Sequence, residues 1–176
     1  MKELSKISDE EMDKMTDEMS NYFLGMIRKD SPDIDFGVIE KRLKIKFLHD
    51  GHSSMFLDGQ KGVRIIVDHE MAEPWSAINC KTEIKMCEKC DMKVTDYIMG
   101  EGVYSYVVQS EEKFYKELEK IPDNAWFDDA SITKSIPQDV LGQIEKTAAS
   151  IGFTLEEVLQ LMDENAYITK LRSKMK

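Results

Sequence analysis

The sequence predicts an α+β protein: an N-terminal amphipathic helix, an antiparallel sheet of four to five strands and a C-terminal helical hairpin. Three observations lead there. Apolar residues recur at three- and four-residue spacing through residues 12–27. Hydrophobicity then alternates residue by residue across much of 43–86, interrupted by Asp-Gly pairs, and returns to a helical period in the last third, where Pro137, Gly152 and Thr154 mark starts and stops.

Ser8-Asp9-Glu10-Glu11 reads as a capping box, with Glu11 three residues beyond the Ser8 hydroxyl. The helix it starts carries Met12, Met15, Met19, Tyr22, Phe23, Met26 and Ile27 on one stripe, expected to rest on the protein's own sheet. Asp9, Asp13, Asp17 and Glu18 are left for solvent, and the helix ends near Lys29. Ser31-Pro32-Asp33 breaks it, and a short helical stretch follows. Leu43, Ile45 and Phe47 alternate with Lys44 and Lys46, giving a first strand. Asp50-Gly51 and Asp58-Gly59 then read as hairpin turns around the strands Ser54–Leu57 and Val63–Val67. A fourth strand follows from Ile78, Cys80, Thr82, Ile84 and Met86 alternating with polar residues, and Val103–Gln109 is the candidate fifth. From Glu111 the helical period returns through Phe114, Tyr115, Leu118 and Ile121, and Pro122 stops it. Pro137 opens a helix over Gln138–Ser150, Gly152 ends it, and Thr154 with Glu157 caps another that runs to about Lys170. Residues 1–130 therefore read as an α+β domain and 131–176 as a helical hairpin subdomain packed on it, the boundary falling in the loop from Asp128 to Pro137.

The cysteines form the tightest chemical cluster. Cys80, Cys87 and Cys90 lie within eleven residues, the last two framing a Cys-x-x-Cys turn. Thiols two residues apart can share a metal or form a redox pair. A structural zinc site would take Cys80, Cys87 and Cys90 with one of His49, His52 or His69, His69 being the first choice, as the fourth ligand. If residues 80–86 run as a straight strand, however, Cys80 and Cys87 stand roughly 23 Å apart, at about 3.3 Å per residue, too far to share an ion. The meander offers a second grouping, because His49, His52 and His69 fall at strand ends along one sheet edge, with Cys80 able to join them. A redox role would need a helix beginning near Cys90 and covering Asp91–Met99, and the acids Glu88 and Asp91 beside the thiols oppose it. Asp68-His69-Glu70 reads either as acid–base machinery or as a solvated strand end. No phosphate loop, Gly-x-Ser-x-Gly, His-Glu-x-x-His or zinc-deaminase pattern is present.

The formal charge is −10, and residues 101–130 hold eight acidic against three basic side chains, half of that total. Such a surface repels a phosphate backbone and attracts basic proteins. Glu111, Glu112, Glu117, Glu119, Asp123, Asp128 and Asp129, with Trp126 and Phe127 among them, form the expected partner-binding surface, since aromatic anchors inside a charged rim build interface hot spots. The first residues lack the apolar core of a signal peptide and the apolar runs are short, so the expected location is cytoplasmic.

Two resemblances add expectations. Asp139–Met162, DVLGQIEKTAASIGFTLEEVLQLM, resembles the helix pair that follows the winged helix of MerR-type regulators. It implies a fold for the hairpin, without the basic reading helix of that family. As a class, a short acidic α+β chain with no active-site signature and a potential zinc staple resembles phage-encoded anti-CRISPR inhibitors of Cas9-type nucleases, and equally bacterial immunity proteins that neutralise toxins. The resulting expectation is a non-enzymatic inhibitor or adaptor of a basic, nucleic-acid-handling protein. The alternatives are an immunity protein or a small metal-dependent enzyme using the His49/His52/His69 edge.

Overall fold

The Ser8 hydroxyl accepts the Glu11 amide while the Glu11 carboxylate accepts the Ser8 amide, so the capping box forms as its spacing requires and starts α1, Asp9–Asp30. A computed structural model describes residues 7–71, 73–109, 111–118, 120 and 135–174. In chain order the further elements are α2 (Phe36–Asp50), β1 (Ser53–Gly59), β2 (Gly62–Asp68), α3 (Glu73–Glu88), β3 (Lys93–Gly100), β4 (Val103–Gln109), α4 (Glu112–Leu118), α5 (Gln138–Ser150) and α6 (Leu155–Lys174). The protein is α+β, with helices first, a four-stranded antiparallel sheet between, and the α5–α6 pair at the end. Among the described residues no helix is long and apolar enough to cross a membrane.

Strand order is β1-β2-β4-β3. A two-residue turn, Gln60-Lys61, joins β1 to β2. Gly62 at its exit has φ +136°, and a Cβ there would stand 2.5 Å from the Val108 carbonyl oxygen, so the position requires glycine. From β2 the chain crosses through α3 to the far edge strand β3, and β4 returns between them. The face bearing Val63, Ile65, Val67, Tyr104, Tyr106 and Val108 carries the main core, filled by Ile39, Leu43 and Phe47 of α2, Cys80 and Cys87 of α3, and Ile168 of α6. The opposite face holds a smaller cluster around Leu57, Ile66, Val103 and Ile151. Helix α6 thus packs into both clusters, and Ile151 in the α5–α6 connection joins the smaller one.

Three local expectations are corrected. Residues 43–47 belong to a helix. Leu43 and Phe47 extend a stripe from Phe36 and Ile39 at three- and four-residue spacing, whereas Ile45 and Leu48 are exposed. Asp35 caps this helix by accepting the Val38 amide, and Gly51 ends it at φ +73°, so Asp50-Gly51 is a helix stop and not a hairpin. Residues 78–86 are likewise helical. Because α3 is packed by α1 on one side and by β3 and β4 on the other, its polar–apolar contrast is weak, and chance alternation masked the 3.6-residue period. Residues 93–99, where the redox alternative would have needed a helix after Cys90, form β3. Asp91 takes a left-handed turn at φ +59°, and the β-favouring Val94, Thr95, Tyr97 and Ile98 follow.

The first helix also turns differently from its methionine stripe. Its buried side is Thr16, Ser20, Leu24 and Ile27, and it rests on α3, not on the sheet. Thr16 and Ser20 are small and bond their hydroxyls to their own helix's carbonyls, which lets the two helices approach closely. Asp13 and Asp17 consequently meet Lys85 of α3 and Lys89 just after it, at 2.7 and 2.6 Å. The α5 and α6 boundaries match their punctuation: Thr154 and Glu157 form a second capping box, and Gly152 takes φ +74°. The expected domain boundary at 128–137 lies mostly outside the described residues.

Candidate functional site

Read as a helix, α3 turns Ser76, Cys80, Glu83 and Cys87 along one side at spacings of four, three and four residues, a stripe that lies against the sheet. Glu83 is the exception in that stripe, a carboxyl group with 1% exposure. Strand β4 supplies its partners, because residues 104 and 106 fall on the same face two apart. The Tyr104 hydroxyl donates to the Glu83 carboxyl, 2.9 Å from Oε1 and 3.0 Å from Oε2, and the Tyr106 hydroxyl donates to Oε2 at 3.1 Å. Lys46 of α2 brings its Nζ only to 3.7 Å from Oε1 and sits closer, at 3.2 Å, to Asp50. Burial outweighs the lysine and the two phenols, so the Glu83 pKa is pushed up to about 7. Both phenols are held well above their usual range, again by burial first and then by Glu83, and therefore stay donors.

This carboxyl opens on a pocket of about 500 Å³ between α1, α2 and α3. Phe23, Met26 and Ile27 of α1, Leu43 and Ile45 of α2 and Met86 of α3 make its walls. Its deep end is polar: Asn79, Thr82 and Glu83 are all buried, and the Thr82 hydroxyl has no hydrogen-bond partner. Arg42, Asp30 and His49, which also line it, are exposed and mark the mouth. An apolar cavity of this size with a few convergent polar groups at its base is the usual form of a small-molecule site.

The expected metal ligands are placed as follows. Cys80 and Cys87 stand two helical turns apart, about 10 Å along the axis, and Cys90 follows in the turn after α3. Burial pushes all three thiols upward, most strongly Cys80 and Cys87, so they are protonated. His69 bonds Ser76, one helical turn before Cys80, as part of a hydrogen-bonded chain. Its Nδ1 accepts the Met71 amide at 3.1 Å, which leaves the proton on Nε2 to be donated to Ser76 Oγ, 3.0 Å away. That tautomer cannot act as base toward Ser76. Burial, with His52 beside it, lowers the His69 pKa and keeps the ring neutral. Of the three histidines expected along one edge, His52 and His69 do meet, their ring centroids 5.3 Å apart, whereas His49 projects into solvent from α2 and contacts Asp50. Among the described residues no three His, Cys, Asp or Glu side chains converge as a metal-ligand set.

Of the expected partner surface, Glu111 and Glu117 are described as exposed, the first 3.6 Å from Arg172 and the second paired with Lys120. Glu112 lies in α4. Glu119, Asp123, Trp126, Phe127, Asp128 and Asp129 lie outside the described residues.

Sequence reasoning passed over Glu83, Thr82, Lys46 and the two tyrosines. The signal was present: on a helical grid Glu83 falls between Cys80 and Cys87 on one stripe, and a carboxyl there needs partners. On a strand grid it fell among the solvent-facing polar residues and drew no notice. Compared with known proteins, the chain matches no family model, no curated protein and no solved structure.

Proposed function

We propose that this chain is a small-molecule binding module, with its ligand held in the pocket between α1, α2 and α3. The observation that carries the reading is a cavity of about 500 Å³ whose walls are apolar and whose buried end holds a carboxyl group and a hydroxyl without a partner. Native structures rarely leave a buried hydroxyl without a partner, because it forfeits a hydrogen bond that water would otherwise supply. A neutral fluorescent probe, N-phenyl-1-naphthylamine, tests it. Saturable binding that Ile27→Trp abolishes supports the reading, while probe binding unchanged by that filling substitution contradicts it.

A second reading keeps the acidic character in view: a non-enzymatic inhibitor or adaptor that binds a basic, nucleic-acid-handling protein, in the manner of an anti-CRISPR or immunity protein. It is favoured by the −10 charge and by the exposed carboxylates Glu111 and Glu117. Titrating the protein into a nuclease cleavage assay tests it. Inhibition that weakens with salt and with Glu111→Lys and Glu117→Lys supports it, and full cleavage at all ratios contradicts it. Structural zinc would have to draw ligands for Cys87 and Cys90 from residues beyond those described. Native mass spectrometry distinguishes the metal-free mass from one with a bound ion.

A further inference from the structure

We propose that the pocket takes a primary amine with an apolar body, its ammonium group received by Glu83, Thr82 and Asn79. The inference rests on the ligand-binding reading above and names its chemistry. An ionised carboxylate offers about four acceptor positions. Tyr104 and Tyr106 each have one hydroxyl hydrogen, so together they fill two. Lys46 fills no third at 3.7 Å, being held nearer Asp50. Glu83 thus keeps acceptor capacity beyond its two phenols and its 3.7 Å ion pair with Lys46.

Thr82 supplies the independent observation. Its side chain is 3% exposed, lines the same pocket and has a hydroxyl oxygen with no hydrogen-bond partner. The Asn79 carboxamide, 7% exposed, lies one helical turn earlier on that wall. An ammonium group carries three donors and no acceptor, and the three buried side chains that line the pocket carry a carboxylate, a hydroxyl and an amide oxygen as acceptors. The apolar walls then receive its hydrocarbon part. An anionic head group would meet Glu83 as a like charge, and a neutral alcohol has one donor for the three acceptors. The field of a chain with net charge −10 also draws cations toward the mouth.

Binding is then coupled to pH. The charged and titratable groups facing Glu83 are Lys46 and Asp50 from α2, Tyr104 and Tyr106 from β4, and Cys80 and Cys87 on α3 itself. Near pH 6 Glu83 is largely protonated, so an arriving ammonium displaces its proton to solvent; above about pH 8 the carboxylate is already charged and no proton is released.

Calorimetric titration of the whole chain with octylamine, 1-octanol and octanoate at pH 8 tests the proposal. Octylamine is expected to bind at least about tenfold more tightly than either analogue, the size of one charge-assisted hydrogen bond. Glu83→Gln should remove that preference. Lys46→Met, which removes the pocket-lining cation that pairs with Glu83, should raise the ratio of octylamine to octanol affinity by about threefold, and an unchanged ratio counts against the proposal; this arm stands even if the Gln variant folds poorly. Equal affinities for octylamine and octanol, or a preference that survives Glu83→Gln, overturn the amine assignment while leaving the pocket a binding site. Failure of the amine, the alcohol and the neutral fluorophore alike overturns both.

Discussion

Two tyrosine–carboxylate clusters sit on the same face of the sheet and differ in how their charge is balanced. At the β1 end, Asp58 accepts the Tyr115 hydroxyl at 2.8 Å and the Arg172 guanidinium at 3.2 Å. The same guanidinium donates to the Tyr115 oxygen, approaches Glu111 at 3.6 Å and lies over the Phe114 ring. At the other end, Glu83 has two phenols and a lysine at 3.7 Å that stands closer to Asp50, and a pocket adjoins it. The first cluster joins β1, α4 and α6 with every component engaged, which is what a structural clamp requires. The second leaves a carboxyl group and a hydroxyl waiting. Similar side chains, completed or left incomplete, make a fastening in one place and a receptor in the other.

The largest expected difference between them is in pH dependence. Glu83 has a folded pKa of about 7 against an ordinary value of 4.5, so the folded state holds its proton more tightly than the unfolded chain does. Its contribution to stability is therefore fully present below about pH 4.5, falls as pH rises, and is lost above about 7. At about 1.4 kcal/mol per unit the loss is about 3 kcal/mol. Urea unfolding of Glu83→Gln against the parent should show the variant gaining relative stability across that window, and a pH-independent difference would remove Glu83 from the account.

Breaking the completed cluster comes next. Arg172→Ala leaves Asp58 half-compensated and strips the ring contact with Phe114, and should cost about 2 kcal/mol in the same assay. A change within a few tenths would mean that the clamp is only a surface ion pair. Ser76→Ala deprives the His69 Nε2–H of its acceptor in a buried site and should cost about 1.5 kcal/mol. Smallest is Thr82→Val, which exchanges an unpartnered buried hydroxyl for a methyl group of like shape. It should stabilise the ligand-free protein by about 1 kcal/mol while weakening octylamine binding. Thr82→Val that destabilises would show that the hydroxyl already has a partner.

The completed cluster and the incomplete one were unequally legible. Helix starts and stops written in local chemistry came through: Ser8 with Glu11, Thr154 with Glu157, and Pro137 before α5 all mark real ends. The Asp58–Gly62 turn and the alternating β2 and β4 runs did too. What failed were elements whose pattern is set by tertiary burial. Helix α3 is enclosed on two sides, so its residues need not separate into polar and apolar faces. Alternation of Ile78, Cys80, Ile84 and Met86 about Thr82 then looks like a strand. That error carried the functional reading with it, placing Glu83 in solvent and Cys80 in a strand. The cysteine cluster drew attention because thiols are rare, yet the burial that marks them as packing residues is invisible until the layers are assembled.

The central claim is that Glu83 is an incompletely paired carboxyl group open to a ligand. Carbon-13 NMR of its side-chain carboxyl carbon, followed from pH 4 to 9 with and without saturating octylamine, tests it most directly. The predicted result is a midpoint close to 7 in the free protein that falls by about one unit or more when the amine is bound. A midpoint in the ordinary glutamate range, or one that octylamine leaves unmoved, would contradict it.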